Sequence, residues 1–463
     1  MISARRKDEI GQKAELIMSE TFQHIPDGYM SSLDPFQFRF DNLRQLVYKR
    51  KRTRVDKSQL AEIIQNEIAR SSSVSFYTGF PWCVQKCTYC NLRMGFNPSV
   101  ELQNDYIKTL LKEMEMYKSL GVYNNHITSC YFGGGTPSIL TPQNIQIIAE
   151  KTMEVTGIGE NSVRTFEISP ATINKDKLLV TSQYFNRASL GIQSTDTQVR
   201  QSLGRILNRE SLLKRIEMVM KYHDLINVDL IYGVRGQTLG TFLDSIQDMI
   251  NLGVHSITLY RAEFFKGTPD YDTVKTSPWS SFNETEVRKF YFAARILLAD
   301  AGYQESPLGW FIKTDSSQAT PDSVPSRWEE MVEHWKKIPM VIGSGQGAFS
   351  NSSGLWMENS QDLNTWKAEI ENGKLPSIFS ALLDDYDNFI IRIMRLIRSY
   401  QEIPYMSFIS ETPHIEDKIV PALRRLNSLN LVSLKETQGI FRLTPSGEVL
   451  VHWVILELIN GVI

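Results

Sequence analysis

VSFYTGFPWCVQKCTYCNL, residues 74–92, runs a short β-branched and aromatic stretch straight into a loop carrying three of the chain's four cysteines, Cys83, Cys87 and Cys90. A disulfide framework wants an even cysteine set in a small exported chain. Four cysteines in 463 residues, behind the polar start MISARRKDEIG, do not suit that reading. Zinc is commonly met by paired C-x2-C units, and only Cys87 and Cys90 make one, with no histidine nearby. Zinc stays open as an alternative. An iron-sulfur cubane suits the spacing better, because thiolates on a short loop can reach three irons of one cluster and leave the fourth without a protein ligand.

Outward from this loop the texture is regular. Strand-like runs at 74–79, HITSCYFGG (126–134), VRTFEIS (163–169), FNRASLGIQS (185–194), INVDLIYG (226–233) and HSITLYRA (255–262) alternate with amphipathic segments near 100–120, 142–154, 174–182, 209–222 and 239–252. Six βα units in series predict parallel strands with right-handed crossovers: an α/β fold, a partial (β/α)6 TIM-like barrel. Chemistry in such a fold belongs at the C-terminal strand ends, where the cysteine loop also falls.

Residues 1–72 read as a polar helical extension broken at HIPDGYMSSLDP (24–35), and 73–375 as the barrel with a trailing substrate-pocket segment. That segment includes a helix near 284–302, a Ser, Pro and Asp-rich loop at 314–326 and a Gly-rich turn, IGSGQGAFSNSSG, at 342–354. Residues 376–463 read as helix, hairpin and helix, a winged-helix-like cap. Lys plus Arg (50) nearly balances Asp plus Glu (52), which argues against an extended nucleic-acid surface, a DNA-binding role for the cap or a polybasic membrane patch. KRKRTR (49–54) reads as a solvated helix end. No run reaches the roughly 18–20 apolar residues of a membrane span, so the expectation is a cytoplasmic monomer with reduced cysteines.

The remaining motifs fall at strand ends. In YFGGGTPS (131–138), consecutive glycines permit positive φ and close backbone approach to a small polar head group; a plain tight turn is the bland alternative. Glu167, Gln193 and Asp229 lie on the third, fourth and fifth strands. A carboxylate on an apolar strand such as NVDLIYG is costly to bury without a cationic or hydrogen-bonding partner. Arg209, opening a helix in ILNRE, offers a planar fork for a ligand carboxylate. Trp310, Trp328 and Trp356 are aromatic enough to stack on a planar substrate, though ordinary packing is the simpler role.

CxxxCxYC, GGGTP, E-x-x-P, LGIQS, NR and DLIYG together, over about 74–463, resemble the oxygen-independent coproporphyrinogen III oxidase-like branch of the radical S-adenosylmethionine (SAM) superfamily. The resemblance implies a 4Fe-4S cluster on Cys83, Cys87 and Cys90 and a SAM held by Tyr77, Gly134, Gly135, Thr136, Glu167, Gln193 and Arg209. It implies a second SAM beside Asp229, Ile231, Ala262 and Phe349, and a low-potential electron donor such as flavodoxin or ferredoxin. Reductive cleavage of the first SAM would yield a 5'-deoxyadenosyl radical. The sequence departs from the branch at Leu92, where a fourth cysteine is usual, at Gly79-Phe80-Pro81 and at Val234-Arg235. These departures, with Gln193 and Asp229 retained as the catalytic pair, predict a class C methyltransferase or methylene transferase acting on an sp2 carbon of a small molecule. The alternatives are coproporphyrinogen dehydrogenation, anaerobic haem opening, or a haem-binding chaperone. Cys130 reads as a core thiol.

Overall fold

In a computed structural model, residues 2–23, 53–71, 73–92, 95–160, 162–276, 284–306, 309–314, 340–397, 402–406, 409 and 415–462 are described. The interrupted stretch at 24–35, most of the 314–326 loop and Trp328 lie outside them.

Six parallel strands form the centre: β1 (Ser73–Phe80), β2 (His126–Gly134), β3 (Val163–Ile168), β4 (Arg187–Gln193), β5 (Leu225–Tyr232) and β6 (Ser256–Arg261). Helices Val100–Ser119, Pro142–Thr156, Lys175–Tyr184, Arg209–Met220 and Leu239–Leu252 cross between them. Each opens on a side chain that caps its free N–H groups, such as Ser99 to Leu102 N, Thr141 to Asn144 N and Asn208 to Ser211 N. Two of them end on left-handed glycines, Gly157 and Gly253. This is the partial (β/α)6 barrel the alternation predicts.

Alternation of side chains along each strand separates two faces. Outward, Phe76, Phe80, Phe132, Phe166, Leu190, Val228, Leu230 and Ile257 are buried against helix residues such as Leu110, Ile148, Ile216 and Phe242. Each fully buried side chain of this size contributes about 1.5–3 kcal/mol. Inward, the same strands carry Tyr77, Tyr131, Glu167, Arg187, Asn227, Asp229 and Thr258. The barrel interior is therefore polar, unlike a packed barrel core.

The sheet continues beyond the barrel. On the β6 edge, β7 (Tyr303–Ser306) and β8 (Trp310–Lys313) are added antiparallel. On the β1 edge, β9 (Met340–Ser344) is parallel, followed by antiparallel β10 (Phe349–Asn351), β11 (Leu355–Asn359) and β12 (Ser377–Leu382). The segment 342–354 is thus not a turn throughout. A turn with left-handed Gly345 and Gly347 links two strands. Because β12 belongs to this sheet, the cap's own core starts later than 376, at Phe389, and reaches Ile459. The cap contains helices Asp385–Leu396, Glu416–Ser428 and Val451–Val462 and a hairpin of Val432–Lys435 with Ile440–Leu443.

The N-terminal extension is not separate from the barrel. Helix Ala4–Phe22 lies on its outside, with Lys7 pairing to Asp244 at 2.5 Å, and the backbone of 53–55 bonds to the free edge of β12. Among the described residues no helix is long and apolar enough to cross a membrane.

Candidate active site

Two bonds knit the cysteine loop to the triglycine turn: Gly135 N donates to Phe80 O and Thr136 N to Trp82 O, each at 2.7 Å. The turn needs its glycines for two reasons. Gly134 has φ +97°, and a Cβ there would press on the Phe80 backbone and the Tyr77 hydroxyl at 3.1–3.2 Å. A Cβ on Gly133 would fall 2.7 Å from the Tyr131 ring and 3.0 Å from the Glu167 carboxyl.

Cys83, Cys87 and Cys90 are free and half-buried, and Thr136 Oγ1 donates to Cys83 Sγ at 3.5 Å. Cys130 is fully buried in β2 against the helices, a core thiol. From the far side Gly204 approaches so closely that its Cβ would meet Lys86 O at 3.1 Å. Thr88 N donates to Leu203 O, and Thr88 Oγ1 to Asp270 at 2.9 Å. Leu92 is 47% exposed at the end of the loop.

Arg205 locks this loop to the barrel. Its guanidinium donates to Tyr89 OH at 2.8 Å and to Gly191 O at 3.2 Å. Burial pushes the Cys83 and Cys90 thiols up, and the Arg205 charge works against that. Arg209, expected from the sequence to meet a ligand carboxylate, lies elsewhere. Arg209 instead faces outward, 40% exposed, with both forks on Asp248 at 2.8 and 2.5 Å. A buried carboxylate on the neighbouring helix captures it, so it does not join the group.

The inner face brings together most of the other expected residues. Glu167 accepts from Tyr131 OH at 2.6 Å; burial pushes its carboxyl up to about 7. Asp229 accepts from Asn227 Nδ2 at 2.8 Å; burial pushes it up to about 6, with the Arg187 charge opposing. Gln193 has φ +70° at a β-bulge, a costly conformation for a residue with a Cβ, and its buried Oε1 has no protein partner. Ile231 and Ala262 form a small apolar wall with Val199, Leu203, Val234 and Tyr89. Phe349 lies on the second strand beyond β1 in the sheet order, stacked on Trp356.

Sequence reasoning missed Arg187, Tyr131 and Tyr260. Arg187 donates to Thr165 and sits 5.6 Å over the Trp310 ring. Tyr260 is 51% exposed, its hydroxyl raised first by the Asp229 charge. Parity would have found two of them: 187, 189, 191 and 193 share one strand face, as do 131 and 133.

These residues fit an iron-sulfur cluster and a nucleoside co-substrate. A cubane asks for three thiols that each reach a separate iron, and Cys83, Cys87 and Cys90 stand free on one short loop. The unpaired Gln193 oxygen and the glycine cradle are the fittings of a polar ligand beside it.

Residues 77–249 match the model of the Radical SAM superfamily. The chain is 27% identical over 241 residues to "Heme chaperone HemW" of Buchnera aphidicola subsp. Schizaphis graminum, across 52% of this chain and 63% of that protein. It is 24% identical over 398 residues to the oxygen-independent coproporphyrinogen III oxidase of Helicobacter pylori strain J99, across 83% and 85%. The solved coproporphyrinogen III oxidase (HemN) of Escherichia coli superposes with a TM-score of 0.73 at 18% identity, across 86% of this chain and 93% of that one, a likeness of fold.

Proposed function

On the premise that residues 77–249 are a radical SAM domain, we propose that the chain is a SAM-cleaving enzyme of the coproporphyrinogen III oxidase-like kind whose substrate is a tetrapyrrole. One observation supports the first half: three half-buried thiols on a loop bonded to the triglycine turn lie at the C-terminal ends of the strands that carry Glu167, Asp229 and Gln193, whose Oε1 has no partner. The second half is supported by relatives named as coproporphyrinogen oxidases and haem chaperones. Methyl transfer through a second SAM, expected from Leu92, has no counterpart among the relatives named above. It gives way to this reading.

Cys83, Cys87 and Cys90 would hold the cluster, which when bound supplies a low-potential electron to a sulfonium. Gly134 and Gly135 let the backbone meet an amino-acid head group. Glu167 and Asp229, whose burial disfavours their charge, gain from a cationic ligand. Gln193 Oε1 accepts from a donor on the ligand. Arg205 holds the cysteine loop against β4 through Tyr89.

The test is anaerobic reconstitution with iron and sulfide, then reaction with SAM, dithionite and coproporphyrinogen III, read by mass spectrometry. 5'-Deoxyadenosine together with loss of carboxyl groups from the macrocycle is expected. Tight haem binding without 5'-deoxyadenosine would point to a carrier. S-Adenosylhomocysteine as a stoichiometric product would overturn the proposal in favour of methyl transfer.

A further inference from the structure

The inner face that carries the site does not stop at the barrel edge. Directly paired residues in neighbouring strands point to the same side of a sheet. Tyr131 pairs with Tyr77, and Tyr77 with Gly343. The Val341–Asn351 pair then sets Phe349 beside Gly343, and Phe349 pairs with Glu358. A Cβ at Gly343 would come 2.3 Å from Phe349 O, so the chain leans over the inner face there. Two residues along, Asn351 pairs with Trp356, Trp356 with Ala381, and Ala381 bridges to Arg54.

This extension is aromatic where the barrel wall is charged. Phe349 is 44% exposed, and its ring lies within 7° of parallel to Trp356 at 5.8 Å. Trp356 is backed by Leu383 and Ile391, and its indole N–H donates to Glu358 at 3.0 Å. At the outer end the exposed Arg54 guanidinium lies 5.5 Å over the Phe379 ring. That stacking leaves its N–H fork free in direction to meet a carboxylate. Glu358, also on this face, accepts from the indole N–H.

We propose that this shelf, with Phe349 and Trp356 as its floor and Arg54 at its rim, is where the tetrapyrrole lies. The macrocycle rests on the aromatic rings and a peripheral carboxylate reaches Arg54. The proposal rests on the tetrapyrrole reading given above and specifies its site. Strand spacing supports the match: Phe349 is two strands from Tyr77, about 10 Å, and Arg54 a further three, about 14 Å. A macrocycle with side arms can span the second distance while its near edge faces the mouth.

Coproporphyrin III is titrated into the anaerobic reconstituted protein and followed by its absorbance and fluorescence. Phe349→Ala should weaken binding about tenfold, and Phe349→Leu, which keeps apolar volume without the ring, about threefold. Arg54→Gln should weaken it about fivefold and flatten its salt dependence, and Arg54→Lys should restore that dependence. Circular dichroism reports whether each variant is folded. If the unaltered protein binds and Phe349→Ala and Arg54→Gln bind equally well, the shelf is wrong while the tetrapyrrole reading survives. If the unaltered protein binds no coproporphyrin III, both fall.

Discussion

The core of the C-terminal cap, from Phe389 to Ile459, is built on apolar side chains: Ile393, Ile419, Leu423, Leu426, Phe441, Val454 and Leu458 are buried in it. The inner face of the parallel barrel is the reverse in kind, with Tyr131, Glu167, Arg187, Asn227 and Asp229 on it and Gln193 Oε1 left without a partner. Buried polarity lowers stability unless something meets it. The cap spends its interior on cohesion, and the barrel holds open an interior that a charged, polar ligand completes. Stability and chemistry are thus carried by different parts of one chain.

The sharpest way to break that contrast is one substitution in each region. Cys87→Ala should abolish the visible absorbance of a reconstituted cluster and bring SAM cleavage to background while the fold persists. Leu423→Ala should cost about 2–5 kcal/mol in denaturant unfolding, yet leave cluster content per folded molecule unchanged. Equal loss of cluster in both would erase the distinction.

A second test concerns the support beneath the site. Glu113 is a fully buried carboxyl on helix Val100–Ser119, pushed up to about 8 by burial. It accepts from Gly345 N at 2.8 Å, Asn359 Nδ2 at 2.7 Å and Trp366 Nε1 at 3.1 Å. Beside it Tyr106 donates to Gly79 O at 2.6 Å, four residues before Cys83. Glu113→Leu strands three donors and should cost about 3 kcal/mol or more. Because the network roots the cysteine loop, cluster retention against a chelator should fall as well, which no cap substitution should do.

Next in size is the arginine pair. Arg205→Ala should loosen the cysteine loop and weaken SAM binding in equilibrium dialysis. Arg209→Ala should cost about 1.5–3 kcal/mol through Asp248 and leave SAM binding as it was. The reverse result would restore Arg209 to the site.

The last effect is electrostatic. The folded value of Glu167, about 7, lies above its ordinary 4.5, so the folded protein holds that proton more tightly than the unfolded chain. Its contribution to stability is complete below about pH 4.5 and is lost as pH rises through about 7. The melting temperature of the protein without SAM should fall across that window, and Glu167→Gln should remove part of the slope. A slope unchanged by the substitution would mean that the carboxyl is not held in a desolvated wall.

Strand and helix boundaries in the six βα units were legible within a few residues, because an outward row of Phe, Ile, Val and Leu must repeat every second position in a strand and every third or fourth in a helix. The edge strands at 303–313 and 340–382 were not. They are short, and the glycines at 343, 345 and 347, which read as one long turn, serve close approach and positive φ between real strands. The triglycine turn, Glu167, Gln193 and Asp229 could be placed at one face because each ends or lies on a strand of known phase. Phe349 and Arg54 could not, since their common face exists only through a chain of pairings across five strands.

What the amino-acid order determined by itself was everything local: a cysteine loop after a strand, six repeats of one supersecondary unit, and the parity that sorts inner from outer side chains. What only the tertiary structure decided was partnership. Arg205 and Arg209 are the same residue type four positions apart, one in a loop and one opening the next helix, and nothing nearby in the chain says which will face the site. The choice was made by Asp248, 39 positions after Arg209, which draws that arginine outward, and by Tyr89 and Gly191, which hold the other. Side-chain charge acts through space, and the chain order does not record which charges will become neighbours.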